Sequence, residues 1–205
     1  MSTLPLQGVH MGFAMAASHC NLHRAVATLK DLVAAGATVT PIVSPSILHV
    51  STRFGTPEYW RQEIESATPE PILTSIPEVE PSGPQHWFDV VAVVPCTGNT
   101  LAKIANAIND SAVTMVVKAQ LRQGNPVLLG ITSNDLLGMN ANNLGKLLSS
   151  RSIYFIPFGQ DDPFNKPRSL DAHLEHIVPS VQAALQHKQI QPILLPWMGK
   201  TEINY

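Results

Sequence analysis

The chain has 205 residues, a formal net charge of −2 and only 14% charged residues, and this balance argues against a nucleic-acid-binding protein. Two cysteines, Cys20 and Cys96, are too few for a disulfide framework or a cysteine-based zinc site. No apolar run approaches the ~18 residues that a membrane-spanning helix needs, so we expect a cytoplasmic protein.

The first predicted unit is a strand, a helix and a second strand. Residues 8–15 predict a strand, and the apolar positions after about Asn21 recur at helical spacing. Gly36 is typical of the position after a helix, and residues 37–43 predict the second strand. This order of elements is that of a parallel crossover.

The turn after the first strand favours a single phosphate over a dinucleotide. It carries Ser18, a hydroxyl near a helix start, but lacks the spacing G-x-G-x-x-G. The second strand ends at Ser44, where a dinucleotide-binding protein would have an acidic residue. Ser18 as a simple helix cap is the alternative.

A long connection and a proline-rich stretch follow. Residues 45–57 are too long for a tight turn and contain Arg53, whose guanidinium could bind a carboxylate or form a surface ion pair. Thr56-Pro57 predicts the start of a short helix. Residues 68–87 predict irregular, extended structure that need not mark a domain boundary.

The central predicted unit combines a buried strand with a polar turn and a helix. Residues 90–94 are apolar and β-branched, and Leu101 opens a helical pattern. The turn between them is Thr97-Gly98-Asn99-Thr100. Ligands of open parallel sheets sit at such strand ends, although Thr97 or Asn99 could simply cap the helix.

The remaining pattern completes an α/β sheet. We predict helices over 112–124 and 170–187 and a helix that ends near Leu148. Strands are predicted over 126–131 and 153–158, and a tail over 189–205. Five strands alternating with helices indicate one domain over residues 1–205 with a doubly wound, Rossmann-like parallel sheet. No histidine, cysteine or carboxylate cluster predicts a metal site, and no catalytic residue is assigned.

Residues 95–108, PCTGNTLAKIANAI, are similar to the motif P-A-S-A-N-T-L-A-K-I-A-N-G-I of the flavoprotein family that includes the homo-oligomeric flavin-containing cysteine decarboxylases. The chain resembles more closely the dipicolinate synthase B subunits of spore-forming bacteria. That resemblance rests on TRFGTPEYW (52–60), TSNDLLGMNANN (132–143), FIPFGQDDPFNKP (155–167) and QIQPILL (189–195). These stretches span nearly the whole chain in order.

The resemblance implies an FMN pocket at the carboxyl ends of the strands. The cofactor-binding residues expected from it and from the turns are Ser18, Ser44, Thr97, Gly98, Asn99 and Thr100. The expected substrate-binding residues are Arg53, Met139 and Asn140. The cysteine decarboxylase clamp P-x-M-N-x-x-M-W is only partly present, since Gly138 precedes Met139 and no tryptophan follows.

The resemblance also implies a role and partners. The expected reaction oxidises a dihydrodipicolinate-type precursor to dipicolinic acid during sporulation, in the mother cell. The expected partner is the A subunit of dipicolinate synthase, which would carry NAD(P), and the expected assembly is a trimer-based homo-oligomer. Two alternatives stay open: a flavin-free scaffold that activates the A subunit, and an FMN-dependent cysteine decarboxylase.

Overall fold

The computed structural model describes residues 3–197, over which one seven-stranded sheet is surrounded by helices. The strands are β1 (His10–Met15), β2 (Thr38–Val43), β3 (Val90–Cys96), β4 (Val127–Ser133), β5 (Ile153–Phe155), β6 (Phe158–Gly159) and β7 (Leu170–Ala172). The helices are α1 (Leu22–Ala34), α2 (Pro45–His49), α3 (Pro57–Ala67), α4 (Ile76–Val79), α5 (Gly98–Ala105), α6 (Ala112–Arg122), α7 (Ala141–Leu148) and α8 (Ile177–Leu185). Short 3₁₀ helices span His19–Asn21, Glu80–Ser82 and Leu174–His176.

The parallel part of the sheet has the strand order β2-β1-β3-β4-β5. This order is one of the two common doubly wound arrangements and confirms the predicted fold class. Pro95 has no N–H group to donate, and the β3–β4 register shifts between Val93 and Cys96.

Each face of the sheet builds its own apolar core. The alternating residues Met11, Phe13 and Met15 of β1 pack with α1, α3 and α8. Val91 and Val93 of β3 face the other side, where they pack with α5, α6 and α7. All five side chains are fully buried, as expected for strands covered by helices on both faces.

The predicted helix over 170–187 was wrong in its first half. Leu170–Ala172 is strand β7, which pairs antiparallel with the end of β4 and with β6. Asp171 lies between two buried neighbours, and its carboxylate accepts a hydrogen bond from Arg24 of α1 at 2.7 Å. The helical pattern is realised only from Ile177 onward, in α8.

The predicted strand over 153–158 is divided into β5 and β6. β5 pairs parallel with β4, whereas β6 pairs antiparallel with β7. The sheet therefore changes direction beyond β4, which single-strand periodicity does not reveal.

The connection over 45–57 and the proline-rich stretch contain short helices that were not predicted. Within the connection over 45–57, Pro45–His49 forms α2. Within the proline-rich stretch, α4 begins with a capping box in which Ser75 and Glu78 exchange hydrogen bonds across the first turn. Leu73 of the same stretch pairs with β2: its N–H donates to Pro41 at 2.9 Å and its carbonyl accepts from Val43 at 2.8 Å.

No helix among residues 3–197 is both long and apolar enough to cross a membrane.

Candidate functional site

The crevice between β1 and β3 is the topological switch point of the sheet. The chain leaves β1 toward α1 on one face and leaves β3 toward α5 on the opposite face. The carboxyl ends of the two strands separate there, and ligands of open α/β sheets bind in such crevices. The geometry therefore points to this edge before any side chain is considered.

A cavity of about 330 Å³ opens at these strand ends. Four of the predicted cofactor-binding residues line it: Ser44, Thr97, Asn99 and Thr100. The remaining lining residues are Ala16, Ala17, Lys103, Ser111, Val113 and Thr114. The volume lies at the lower end of the roughly 300–1,000 Å³ range of small-molecule sites.

The turn from β3 into α5 is held by Thr97 as a helix cap. Its hydroxyl oxygen accepts from the backbone N–H of Thr100 at 3.3 Å and its O–H donates to the Thr100 hydroxyl at 3.1 Å. The capping role that sequence reasoning left open for Thr97 is therefore realised. Asn99 is exposed, and its amide makes no hydrogen bond within residues 3–197, so it stays available to a ligand.

Gly98 brings the start of α5 against the loop that follows β4. A methyl group at Gly98 would lie 2.7 Å from the Ser133 hydroxyl, 2.8 Å from Asp135 Oδ1 and 2.9 Å from Asn140 Nδ2. A glycine is required at this position because a Cβ atom would overlap three polar side chains.

Ser44 and Ser18 lie at neighbouring strand ends but have different surroundings. Ser44 lines the cavity, and its hydroxyl shares a hydrogen bond of 3.1 Å with Ser46. The Ser18 hydroxyl does not cap the 3₁₀ helix that follows; it accepts from the Asn21 amide at 3.2 Å. The same amide donates to Thr132 at the end of β4, so Ser18 lies on the α1 side of the crevice and does not line the cavity.

The three predicted substrate-binding residues are not brought together. Asn140 lies beside Gly98 and donates to Asp135 at 2.7 Å. Met139 is 88% exposed. Arg53 is exposed in the turn between Thr52 and Gly55; its guanidinium lies 4.8 Å from the ring centroid of Phe54 and forms no ion pair within residues 3–197.

Six of the ten lining residues were not among the predicted site residues, and Lys103 and Ser111 are two polar ones among them. Lys103 lies one turn after Asn99 on α5, and its ammonium pairs with Asp110 at 2.7 Å and lowers the pKa of that carboxyl. Ser111 is the cap of α6. The helical spacing of Asn99 and Lys103 is a signal that could have found Lys103, because residues four apart share a helix face.

Cys96 cannot serve as the nucleophile of this site. Burial raises the pKa of its thiol to about 12, so the thiolate is scarce at neutral pH. The side chain packs in the core on the α5 face instead.

Comparison with known proteins identifies the family. Residues 2–168 match the family model described as Flavoprotein. The chain belongs to the flavoprotein family. This membership agrees with the resemblance of the 95–108 motif.

Two relatives place the chain more narrowly within the flavoprotein family. The B subunit of dipicolinate synthase from Bacillus subtilis (strain 168) is 43% identical over 190 residues, which cover 93% of this chain and 95% of that protein. The crystal structure of the B subunit of dipicolinate synthase from Bacillus halodurans superposes with a TM-score of 0.87 and 42% identity, over 94% of this chain and 99% of that one. The predicted resemblance to the B subunits is therefore confirmed.

A more distant solved structure shares the fold alone. A dodecameric FMN-dependent UbiX-like decarboxylase from Escherichia coli O157:H7 superposes with a TM-score of 0.60 and 18% identity, over 93% of this chain and 100% of that one. At this identity the likeness confirms the Rossmann-like architecture.

Proposed function

We propose that this chain is the B subunit of a dipicolinate synthase, which acts with an A subunit to convert a dihydrodipicolinate-type precursor to dipicolinic acid. The observation that carries the proposal is the 43% identity to the B subunit of Bacillus subtilis across nearly the whole of both chains. The setting that follows is the cytoplasm of the mother cell in a sporulating bacterium.

The proposed cofactor is FMN, bound in the cavity between β1 and β3. The free Asn99 amide offers both a donor and an acceptor, which suits the polar edge of a flavin ring. The first N–H groups of α5 have no partner within the helix and favour an anionic or oxygen-rich group. Ser44, Thr97 and Thr100 line the same cavity and each carries a hydroxyl.

The reaction removes two electrons and two protons from the precursor ring, so a two-electron acceptor is required. Bound FMN would supply two-electron redox chemistry, and NAD(P) on the A subunit is the proposed final acceptor. The residues of this chain would orient the ring and bind its carboxylates. Asn140, which lies beside Gly98, is the proposed carboxylate-binding residue, and Arg53 would need a partner surface or ligand to bring it to the site.

The proposed assembly is a homo-oligomer built on trimers. Large apolar side chains are exposed beside the site, among them Met139 at 88% and Leu137 at 47%. Contact with a second copy would cover them and could enclose the cavity further.

A flavin-free scaffold that activates the A subunit is the second candidate. It is favoured by the internal hydrogen bonds of the predicted hydroxyls. Ser18 bonds to Asn21, Ser44 to Ser46 and Thr97 to Thr100. Among the polar side chains predicted to bind the cofactor, only the Asn99 amide is without a hydrogen-bond partner within residues 3–197.

The deciding experiment is a titration of the purified chain with FMN, followed by its visible absorption spectrum. We expect a shift of the flavin bands on binding and at least a tenfold weaker affinity for Asn99→Ala, because the unpartnered amide is removed. Asn142→Ala, on an exposed position of α7, is the matched control and should bind as the wild type does. No spectral shift at saturating FMN would contradict the flavin pocket and leave the scaffold.

Reconstitution with the A subunit tests the reaction itself. We expect dipicolinate formation from the precursor, with NAD(P) reduction, only when both chains are present. Full activity of the isolated A subunit would contradict a role for this chain in the reaction.

A further inference from the structure

A chain of polar side chains links an exposed lysine to the loop beside the candidate site. It runs through three asparagines, which we call the amide chain: Asn106 at the end of α5, Asn143 on α7 and Asn140 at the start of α7. Lys146 Nζ donates to Asn106 Oδ1 at 2.9 Å, and Asn106 Nδ2 donates to Asn143 Oδ1 at 3.1 Å. Asn143 Nδ2 donates to Asn140 Oδ1 at 2.9 Å, and Asn140 Nδ2 donates to Asp135 Oδ2 at 2.7 Å.

The two ends of the amide chain fix its direction. An ammonium can only donate and an ionised carboxylate can only accept. Lys146 therefore requires the oxygen of Asn106, and each following amide must then pass a donor to the next. The carbonyl of Ala102 imposes the same orientation, since it accepts from Asn106 Nδ2 at 2.7 Å. Asp135, which also accepts from Ser133 at 2.6 Å, requires the same orientation of Asn140 from the other end.

The inner end of the amide chain lies beside Gly98, whose neighbours in sequence line the cavity. Asn140 Nδ2 is the atom that approaches Gly98 at the start of α5, and Gly98 adjoins the cavity-lining residues Thr97 and Asn99. Its two hydrogens are not both used. One is donated to Asp135, and the other has no partner within residues 3–197.

We propose that Asn106, Asn143 and Lys146 are positioning residues that hold Asn140 as a hydrogen-bond donor toward the site. The inference rests on the proposed function, because it assumes that a ligand occupies this edge of the sheet. It specifies what Asn140 recognises: an oxygen acceptor, such as a carboxylate, and not a donor group. None of the three positioning residues needs to touch the ligand.

An exchange of two side chains tests the direction of the amide chain. In Asn143→Asp the new carboxylate cannot donate to Asn140, so two carboxylates compete for one amide nitrogen. In the double variant D135N/N143D the composition and net charge of the chain are unchanged. Every bond can then re-form with Asn140 reversed, because Asn140 Nδ2 can donate to the new carboxylate at position 143 while the new amide at position 135 donates to Asn140 Oδ1.

Stability and binding are measured on the same full-length variants. Urea unfolding gives the stability, and calorimetric titration with dipicolinate at saturating FMN gives the affinity. We expect N143D to raise the unfolding equilibrium constant about tenfold and the double variant to return to within about threefold of the wild type. We expect dipicolinate affinity to stay at least tenfold weaker in the double variant, because the reversed Asn140 presents its oxygen where a donor is needed.

Two controls separate positioning from other effects. Asn142→Asp adds the same charge in the same turn of α7 without touching the amide chain, and it should bind dipicolinate as the wild type does. In D135N alone, the new amide at position 135 can accept from Asn140 in its original orientation, so the affinity should fall by no more than about threefold.

The outcomes are distinguishable from failure of the proposed function. Recovery of both stability and affinity in the double variant would assign the amide chain a purely structural role and overturn the proposal. If the double variant does not recover stability, the amide chain has no fixed hydrogen-bond direction, and this result would also overturn the proposal. If the wild type binds neither FMN nor dipicolinate, the proposed function fails, and the role of Asn140 toward a ligand fails with it. The unfolding measurements would still test the hydrogen-bond direction of the amide chain.

Discussion

The close approach at Gly98 predicts that even an alanine side chain there lowers the stability of the protein. Gly98→Ala would place a methyl group within 2.9 Å of three polar atoms, so we expect a loss of about 1–3 kcal/mol in the free energy of unfolding. Gly145→Ala is the matched control, because a methyl there meets nothing within 4 Å and should stabilise α7 by roughly 0.5–1 kcal/mol. Urea unfolding of both variants checks this, and equal stabilisation by the two would refute the close approach at Gly98.

The two cysteines predict opposite reactivity. Cys96 is fully buried with its pKa raised to about 12, whereas Cys20 is exposed. We expect iodoacetamide to modify Cys20 within minutes at pH 8 and to leave Cys96 unmodified until the chain unfolds. Peptide mass spectrometry with and without urea measures both sites. Rapid native labelling at Cys96 would show that the core beneath α5 opens readily.

At the scale of the elements, the capping box of α4 predicts an acid-sensitive contribution to stability. Hydrogen bonds from the backbone N–H groups of Thr74 and Ser75 lower the pKa of Glu78 below its usual 4.5. The stabilisation is therefore complete above pH 4.5 and is lost as the pH falls through the lowered folded-state pKa. Glu78→Gln should lower the unfolding midpoint at pH 7, and this difference from the wild type should shrink toward pH 3.

The control for the Glu78 prediction is Glu80→Gln. Glu80 lies on the neighbouring 3₁₀ helix, and its carboxylate takes no part in the capping box. Its substitution should leave the midpoint nearly unchanged at both pH values. A midpoint difference for E78Q that is as large at pH 3 as at pH 7 would contradict the role of the ionised carboxylate.

Elements with local signals were predictable, and elements set by distant partners were not. The apolar stripe of α1 and the apolar run of β3 can each be recognised from the residues of that element alone. Strand β7 is not, because it depends on pairing with β4 and β6 and on the contact between Asp171 and Arg24, 147 residues away. Its three residues also continue the helical spacing of α8, so periodicity alone favoured a helix.

At the scale of the whole molecule, strand order explains which site residues sequence reasoning could gather. Ser44 and Thr97 end strands that flank β1, so a parallel sheet brings them to one edge. Strand order does not predict the position of Arg53, because this residue lies in the connection between α2 and α3, two helices that pack on each other. The unpartnered state of the Asn99 amide is also a property of the folded chain and has no signature in the sequence.

The exposed apolar side chains of Leu137 and Met139 predict self-association in solution. If a second copy covers the site, the chain should sediment as a trimer or a multiple of a trimer of its 22.2 kDa mass. Met139→Glu should weaken that assembly, because it places a charge on a side chain that is 88% exposed in the single chain. Leu194→Glu, at an exposed apolar position beside β6, is the control. Sedimentation of a monomeric wild type would refute the assembly.

The pairing of Leu73 with β2 has a consequence for aggregation. β2 is the outermost parallel strand, and its free side would otherwise offer unpaired N–H and C=O groups to another chain. Leu73 takes up the Pro41 carbonyl and the Val43 N–H, and Pro41 itself has no N–H to offer. At the opposite margin Phe158 of β6 is paired with Leu194 in the same way. The proline-rich stretch therefore covers part of the free edge of β2. We expect this pairing to hinder the addition of strands from neighbouring molecules.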